Sequence, residues 1–380
     1  MRFLYISNSK HLLYPTRDAS TRYRCFNPVE ALNEMGHIAD LCTQQEFSKR
    51  HLDAYDVYIF HRPRYTRRLE RYINRLNRGN QISIADYDDL LFAPELASFS
   101  PIVRNGQASI RIARKLHQNY LAALQLFNHF TTSTAPLAEQ IRDKITTAAT
   151  AVIHNGYSPT WLRQSERATP DTTVVTAGYF PGTKSHDHDF AVIKRPLEKW
   201  LSSAPNRLMV VGPLRMEDNQ VTQASVTRRS HVPYHALPQL ISQCDVALAP
   251  LEATPFNYCK SGIKFIESAL FGVPLIATPI PDISRFKQGG VLLAHTPSEF
   301  NEMLDLISQD KAGVETQRQS LCRYAATHCS AKAQTERILD FIQSIQERTR
   351  QTEAGVRSAP YTTHKNGYRI ASGHGALDRP

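Results

Sequence analysis

Several features that would place this chain in a familiar class are missing. No stretch approaches the roughly 18 consecutive apolar residues that a helical membrane span needs. The opening residues, Met1-Arg2-Phe3-Leu4-Tyr5-Ile6, lack the apolar core and small-residue cleavage site of a signal peptide. A cytoplasmic protein is therefore expected, with peripheral contact at the inner face of the membrane left open. The six cysteines (25, 42, 244, 259, 322 and 329) include no Cys-x-x-Cys pair. Free thiols are expected, with no disulfide framework and no metal site. The first strand candidate is followed by Ser7-Asn8-Ser9-Lys10, which lacks the glycine fingerprint of a dinucleotide-dependent dehydrogenase. Short internal repeats are absent. The 16 glycines and 22 prolines are ordinary usage, which excludes collagen-like and low-complexity chains.

What is present is a chain of 380 residues, 41% hydrophobic and 21% charged. At roughly 150 residues per domain it holds about two domains, each large enough for a core of its own. Lys and Arg number 45 against 35 Asp and Glu, a net charge of +10. That balance favours anionic partners: nucleotide phosphates, nucleic acid or a membrane surface.

Short apolar runs alternate with helical patterns. Strands are expected at 2–6, 38–42, 56–60, 81–85, 128–131 and 150–153, with helices at 22–35, 64–78 and 107–127 between them. The alternation predicts a parallel sheet covered by helices. The pattern then restarts, with strands at 173–178, 207–212, 244–249 and 273–277 and a helix near 262–270. Polar residues, Pro159 and Pro170 mark the break near 157–172. The expected division is 1–165, 166–330, a terminal helix over 331–347, and a tail without periodicity over 348–380.

Ligands of open α/β sheets bind beyond the carboxyl ends of the strands. Gly178-Tyr179-Phe180-Pro181-Gly182-Thr183-Lys184-Ser185 follows one strand. Its glycines stand too close for a P-loop, and Thr183 separates Gly182 from Lys184. The turn is either a phosphate contact through Gly182 and Lys184 or an ordinary loop. The segment Pro255–Thr278 is more informative. Ser261 suits a helix cap, and Ile263, Ile266, Ala269 and Leu270 follow helical spacing. Gly272 ends the helix and a buried strand begins at Val273. Lys264 falls in the first turn, where the helix already presents positive potential. An anion held by backbone N–H groups, Lys260 and Lys264 would relieve that conflict. Glu267 lies on the face of Lys264, suited to a ribose diol. The alternative is a plain Lys264–Glu267 ion pair.

In the first half, His61-Arg62-Pro63 follows one strand and Asp86-Tyr87-Asp88-Asp89 the next. His61, Asp86 and Asp88 are the candidate catalytic groups, able to contact sugar hydroxyls or activate an acceptor. A metal site, a capped turn and a structural histidine are the alternatives for these residues. The stretch 64–78 carries Arg64, Arg67, Arg68, Arg71, Arg75 and Arg78 around an apolar stripe of Tyr65, Leu69, Tyr72, Ile73 and Leu76. Its arginines suit anionic lipid headgroups or simply water.

The Pro255–Thr278 segment resembles the donor-binding helix of retaining GT-B glycosyltransferases similar to family 4, in the bacterial polysaccharide type. Ser20–Arg24 through Gly36, Ile153–Tyr157, Gly178–Phe190, Val232–Pro238 and Cys244–Leu251 resemble further family segments in the same order. The resemblance spans about 1–346. It implies two Rossmann-like domains around a cleft, with an acceptor domain followed by a nucleotide-sugar domain. It also implies transfer of a hexosyl group from a nucleotide-diphosphate sugar to a glycan or lipid-linked glycan, with retention. The nucleotide sugar is then a co-substrate and no cofactor is expected. Glu267 takes the ribose role, and Lys184 and Lys264 become candidates for the diphosphate. Cys259 stands where the family carries its first glutamate, a departure that bears on the donor sugar. Rival readings are a GT-B epimerase or hydrolase, an inactive sugar-binding relative, and a nucleic-acid-binding protein. The last lacks any helix-turn-helix, zinc-finger or RNP-type pattern, so no nucleic-acid partner is expected.

Overall fold

The computed structural model describes residues 1–9, 11, 14–162, 174–182, 186–203, 205–215 and 225–358. Met1–Leu339 forms one compact unit and the chain from Asp340 a second.

The larger unit contains two six-stranded sheets, parallel throughout. The first is built from β1 (Arg2–Ser7), β2 (Ile38–Thr43), β3 (Val57–His61), β4 (Ile82–Tyr87), β5 (His129–Thr132) and β6 (Ala149–Val152). Its order is β2-β1-β3-β4-β5-β6. The second comprises β7 (Thr176–Tyr179), β8 (Arg207–Val211), β9 (Val226–Arg229), β10 (Val246–Ala249), β11 (Leu275–Ala277) and β12 (Leu292–Leu293). Its order is β12-β11-β10-β7-β8-β9. Central strands such as Val57-Tyr58-Ile59-Phe60-His61 are buried along their whole length. That is why they read as continuous apolar runs, since helices cover both faces of a parallel sheet.

Strand order reverses between β1 and β3 in the first sheet and between β7 and β10 in the second. These switch points are where doubly wound sheets open a crevice for ligands. The register of the first sheet places Thr43, Ser7, His61, Asp86 and Thr131 side by side at its carboxyl edge. A polar row thus closes an apolar sheet. The equivalent row of the second sheet is apolar, with Tyr179 beside Val210 and Leu248, and Leu248 beside Ile276. There the polar groups come from the loops and helices that follow the strands.

The helices that position the site are α1 (Asn27–Glu34), α2 (Arg67–Leu76), α3 (Ile110–Leu124), α4 (Pro255–Tyr258), α5 (Ile263–Ala269) and α6 (Ala331–Ser358). Thr66 caps α2 by accepting from Leu69 N, and Leu69, Ile73 and Leu76 are its buried residues. The expected helix over 22–35 instead begins with a short helix, Ala19–Thr21, and a wider π-helical turn, Arg22–Phe26. Pro28 has no N–H to offer the Arg24 carbonyl four residues back, so the regular ladder cannot run through this turn.

Three expectations are revised. Strands β9 and β12 were not legible: β9 is an edge strand of sequence Val-Thr-Arg-Arg, largely exposed, and β12 has two residues. Helix α6 runs to Ser358 and does not stop at 347. No proline interrupts the chain there, and Gln343 donating to Glu347 and Arg348 to the Ser344 carbonyl support the turns around 347. The remainder of the expected tail, and the expected boundary at 165/166, lie outside the described residues.

The two halves of the larger unit interlock. The first-half core, around Tyr58, Phe60, Phe92 and Phe130, also takes in Phe256 and Cys259 from α4 and its end. The second-half core includes Tyr157 and Trp161, which follow β6.

Candidate functional site

Two polar clusters face each other at the carboxyl edges of the sheets. In the first, Asp86 and Asp88 have opposite fates. Asp86 is 2% exposed. Arg24 Nε and Nη2 donate to its two oxygens at 3.0 and 2.5 Å, and Thr131 Oγ1 donates at 2.7 Å. The same guanidinium donates to the Ile153 carbonyl at 2.5 Å and to Asn155 at 3.2 Å. Asp86 is therefore a buried brace whose oxygens are both engaged. Asp86 stands one residue before the end of β4, and these bonds hold its side chain at the sheet edge.

Asp88, two residues on, has a side chain 10% exposed. Ser20 Oγ donates to its Oδ2 at 2.5 Å, while Arg62 Nε and His61 Nε2 reach Oδ1 at 2.5 and 3.1 Å. Burial opposes its charge, but the Arg62 guanidinium and His61 outweigh burial and hold Asp88 well below the usual carboxylate range. Arg62 Nη2 also donates to Asp89 at 2.5 Å, whose side chain is 27% exposed. Burial comes first in pushing Asp89 up, and the neighbouring Asp88 charge adds to it against Arg62. Arg62 favours the charged form of both carboxylates, but it prevails only at Asp88; at Asp89 burial and the Asp88 charge prevail. Arg62 adopts φ of +48°, a conformation rare for a side-chain-bearing residue. Its N–H donates to the Asp86 carbonyl and its own carbonyl accepts from Asn8. Since the Ser20 proton points at Asp88, His61 Nε2 carries the ring proton; His61 Nδ1 is buried without a partner.

The second cluster centres on α5. Glu267 is 6% exposed. Lys264 Nζ donates to its Oε2 at 2.7 Å, the ion pair that helical spacing allowed, with the Lys264 side chain 31% exposed. The other oxygen accepts from Tyr23 Oη of the first half at 2.7 Å. Burial, and then the Glu267 charge, keep the Tyr23 phenol well above its ordinary pKa. Ser261 does not cap α5. Gly262 occupies the cap and donates its N–H to Asp282 Oδ2 at 2.6 Å. Ser261 Oγ accepts instead from Asn155 Nδ2 of the first half, at 2.9 Å. Asp282 also meets His154 of the first half at 3.1 Å and Arg285 at 2.8 Å. A carboxylate at a cap does better than a serine here because its second oxygen joins the halves.

Lys260 Nζ lies 3.4 Å from Asp189. Asp189 further accepts from Asn257 Nδ2, Glu252 N and His186 Nδ1 at 2.8, 3.0 and 2.9 Å. Burial works against this charge, but the His186 hydrogen bond, Lys260 and the Glu252 N–H together pull Asp189 down to about 2. Gly182 is exposed, and a Cβ there would meet nothing within 4 Å; packing does not demand a glycine. Lys184 lies outside the described residues. Cys259 is buried in the first-half core, its carbonyl accepting from Thr134 Oγ1 at 2.9 Å and its thiol pushed up to about 12 by burial. The departure from the family's glutamate therefore falls on a packed position.

Among the described residues no three His, Cys, Asp or Glu side chains gather in a way that could hold a metal ion. No helix among them is long and apolar enough to cross a membrane. The described cysteines are all free.

Tyr23, Asp89, Asp189 and Asp282 were not singled out as site residues. Asp89 belongs to the Asp86–Asp89 motif and Tyr23 sits in a segment that carried the resemblance, but local spacing holds no trace of a contact 244 residues away.

With the geometry in place, comparison with known proteins is direct. Residues 171–310 match the family described as glycosyl transferases group 1. No curated protein matches the chain. Among solved structures, HepE of Anabaena, crystallised with UDP and glucose, has a TM-score of 0.59 at 14% identity, covering 90% of this chain and 100% of that one. The O-GlcNAc transferase of Thermobaculum terrenum has a TM-score of 0.57 at 15% identity, covering 93% and 69%. OtsA has a TM-score of 0.56 at 10% identity, covering 90% and 99%. Two six-stranded parallel sheets facing one another are the GT-B architecture: this chain has the GT-B fold, and its second half is similar to the glycosyl transferases group 1 family over residues 171–310.

Proposed function

We propose that the protein is a glycosyltransferase that takes a hexosyl group from a nucleotide-diphosphate sugar, with retention, to a glycan or lipid-linked glycan acceptor. The observation that carries this reading is Glu267. It is a buried carboxylate at the carboxyl edge of a group 1 segment, directed at the opposite half. A ribose diol donates to such a carboxylate with charge-assisted hydrogen bonds. Lys264, Lys260 and Lys184 are the candidates to meet the diphosphate, whose leaving charge needs fixed cations. HepE, crystallised with UDP and with UDP-glucose, makes uridine diphosphate the first donor nucleotide to try. No cofactor enters this scheme.

Asp88 and His61, with Asp89 beside them, would receive the acceptor hydroxyl. Asp88 stays ionised, so it accepts a hydrogen bond from that hydroxyl. The arginine-rich α2 would rest on anionic lipid at the inner face of the cell membrane, which suits a lipid-linked acceptor. The test is release of nucleotide from a nucleotide sugar in the presence of acceptor glycans. Asp88→Asn should lower turnover by about a hundredfold or more. Full turnover in a folded Asp88→Asn protein contradicts the acceptor assignment.

A further inference from the structure

The segment Ala19–Phe26 touches both polar clusters. Ser20 holds Asp88 and His61, at 2.5 and 2.9 Å. Arg22 lies over the Tyr234 ring at 3.7 Å from its centroid. Tyr23 donates to Glu267 and meets Tyr234 edge-on, with centroids 5.9 Å apart. On its other side Tyr234 packs against Trp161 at 4.4 Å.

We propose that Tyr23 is a latch on the donor site: its hydroxyl occupies the position on Glu267 that a ribose hydroxyl takes, and nucleotide binds by displacing it. The inference rests on the ribose role given to Glu267 above. A phenol is chemically apt for this. It offers one donor to the carboxylate, as a ribose hydroxyl does, so Glu267 is never left buried and unpaired. The π-helical turn at Arg22–Phe26 is a local irregularity that can change register without unfolding α1. When Tyr23 leaves Glu267, Ser20 three residues earlier is drawn from Asp88 and His61. Donor binding thereby frees the acceptor carboxylate, and the two substrates bind in order. Such coupling requires only that nucleotide favour the unlatched arrangement.

Tyr23→Phe keeps the ring and its packing and removes the hydroxyl. UDP, GDP, ADP and TDP, each alone, are the probes. The nucleotide that binds the parent should bind Tyr23→Phe about tenfold tighter, the scale of one hydrogen bond to a charged group. The chain has two tryptophans, so Trp200→Phe leaves Trp161 as the sole indole emitter, packed against Tyr234. In that background nucleotide should shift Trp161 emission, and Tyr23→Phe should shift it beforehand. Nucleotide affinity unchanged or weakened by Tyr23→Phe, in a protein where Glu267→Gln abolishes binding, overturns the latch alone. Absence of binding by any of the four nucleotides to both parent and Tyr23→Phe overturns the donor reading and the latch with it.

Discussion

Arg24 and Asp86 form a buried ion pair at the edge of the first sheet. Both are buried, and each oxygen of the carboxylate is taken. Removing one partner of such a pair leaves the other charge buried without compensation. Arg24→Ala should therefore cost about 3–5 kcal/mol of stability, read as a lower urea midpoint. A loss under about 1 kcal/mol, the surface-pair scale, would contradict the burial described. Asp189 gives a pH signature. Its folded pKa of about 2 lies below the ordinary 3.8, so its contribution is complete above the unfolded value. It is lost as pH falls from about 4 toward 2, and amounts to about 2 kcal/mol. Asp189→Asn should flatten the stability curve over that acid range; an unchanged slope would show that the network around Lys260 does not hold Asp189 ionised.

At the scale of elements, the sequence is legible where burial is complete. β3 and β4 announce themselves because, apart from the buried Ser83, every residue is apolar or sits at the polar edge. β9 does not, because an edge strand facing water has no apolar pattern to show. Helix α2 was legible from Leu69, Ile73 and Leu76. Its arginines were legible as a basic face, and the structure shows what several of them touch. Arg68 donates to the Phe47 carbonyl and Arg75 pairs with Asp53, while Arg67 and Arg71 are exposed. Replacing Arg67, Arg68, Arg71 and Arg75 with Gln should reduce partitioning to anionic vesicles, by about 1 kcal/mol per charge that meets the surface. Equal partitioning of parent and variant would remove α2 from any membrane role. Ser261 was misread for the opposite reason. Cap preference is a local rule, and Asp282, twenty residues on, outcompetes it through a contact that only the tertiary fold creates.

At the scale of the whole molecule, repetition of the strand–helix alternation made two α/β halves readable, and with the order of the motifs it led to GT-B. What could not be read is how the halves meet. Tyr23 on Glu267, His154 on Asp282, Asn155 on Ser261 and Thr134 on the Cys259 carbonyl all link residues more than a hundred positions apart. None follows a spacing rule, yet together they bring the candidate side chains of the two halves into contact. Glu267, the proposed donor carboxylate, was therefore identifiable from its helix, whereas Tyr23, which donates to it, was not.

The central claim is that Glu267 belongs to a nucleotide-sugar site. Thermal denaturation with UDP-, GDP-, ADP-, TDP- and CMP-sugars, with Glu267→Ala alongside, tests it most directly. A ligand at about 100 times its Kd adds roughly 2.7 kcal/mol to stability. The account predicts a raised Tm with one nucleotide class and no rise with that class in Glu267→Ala. A rise that survives intact in Glu267→Ala, or no rise with any of the five, would contradict it.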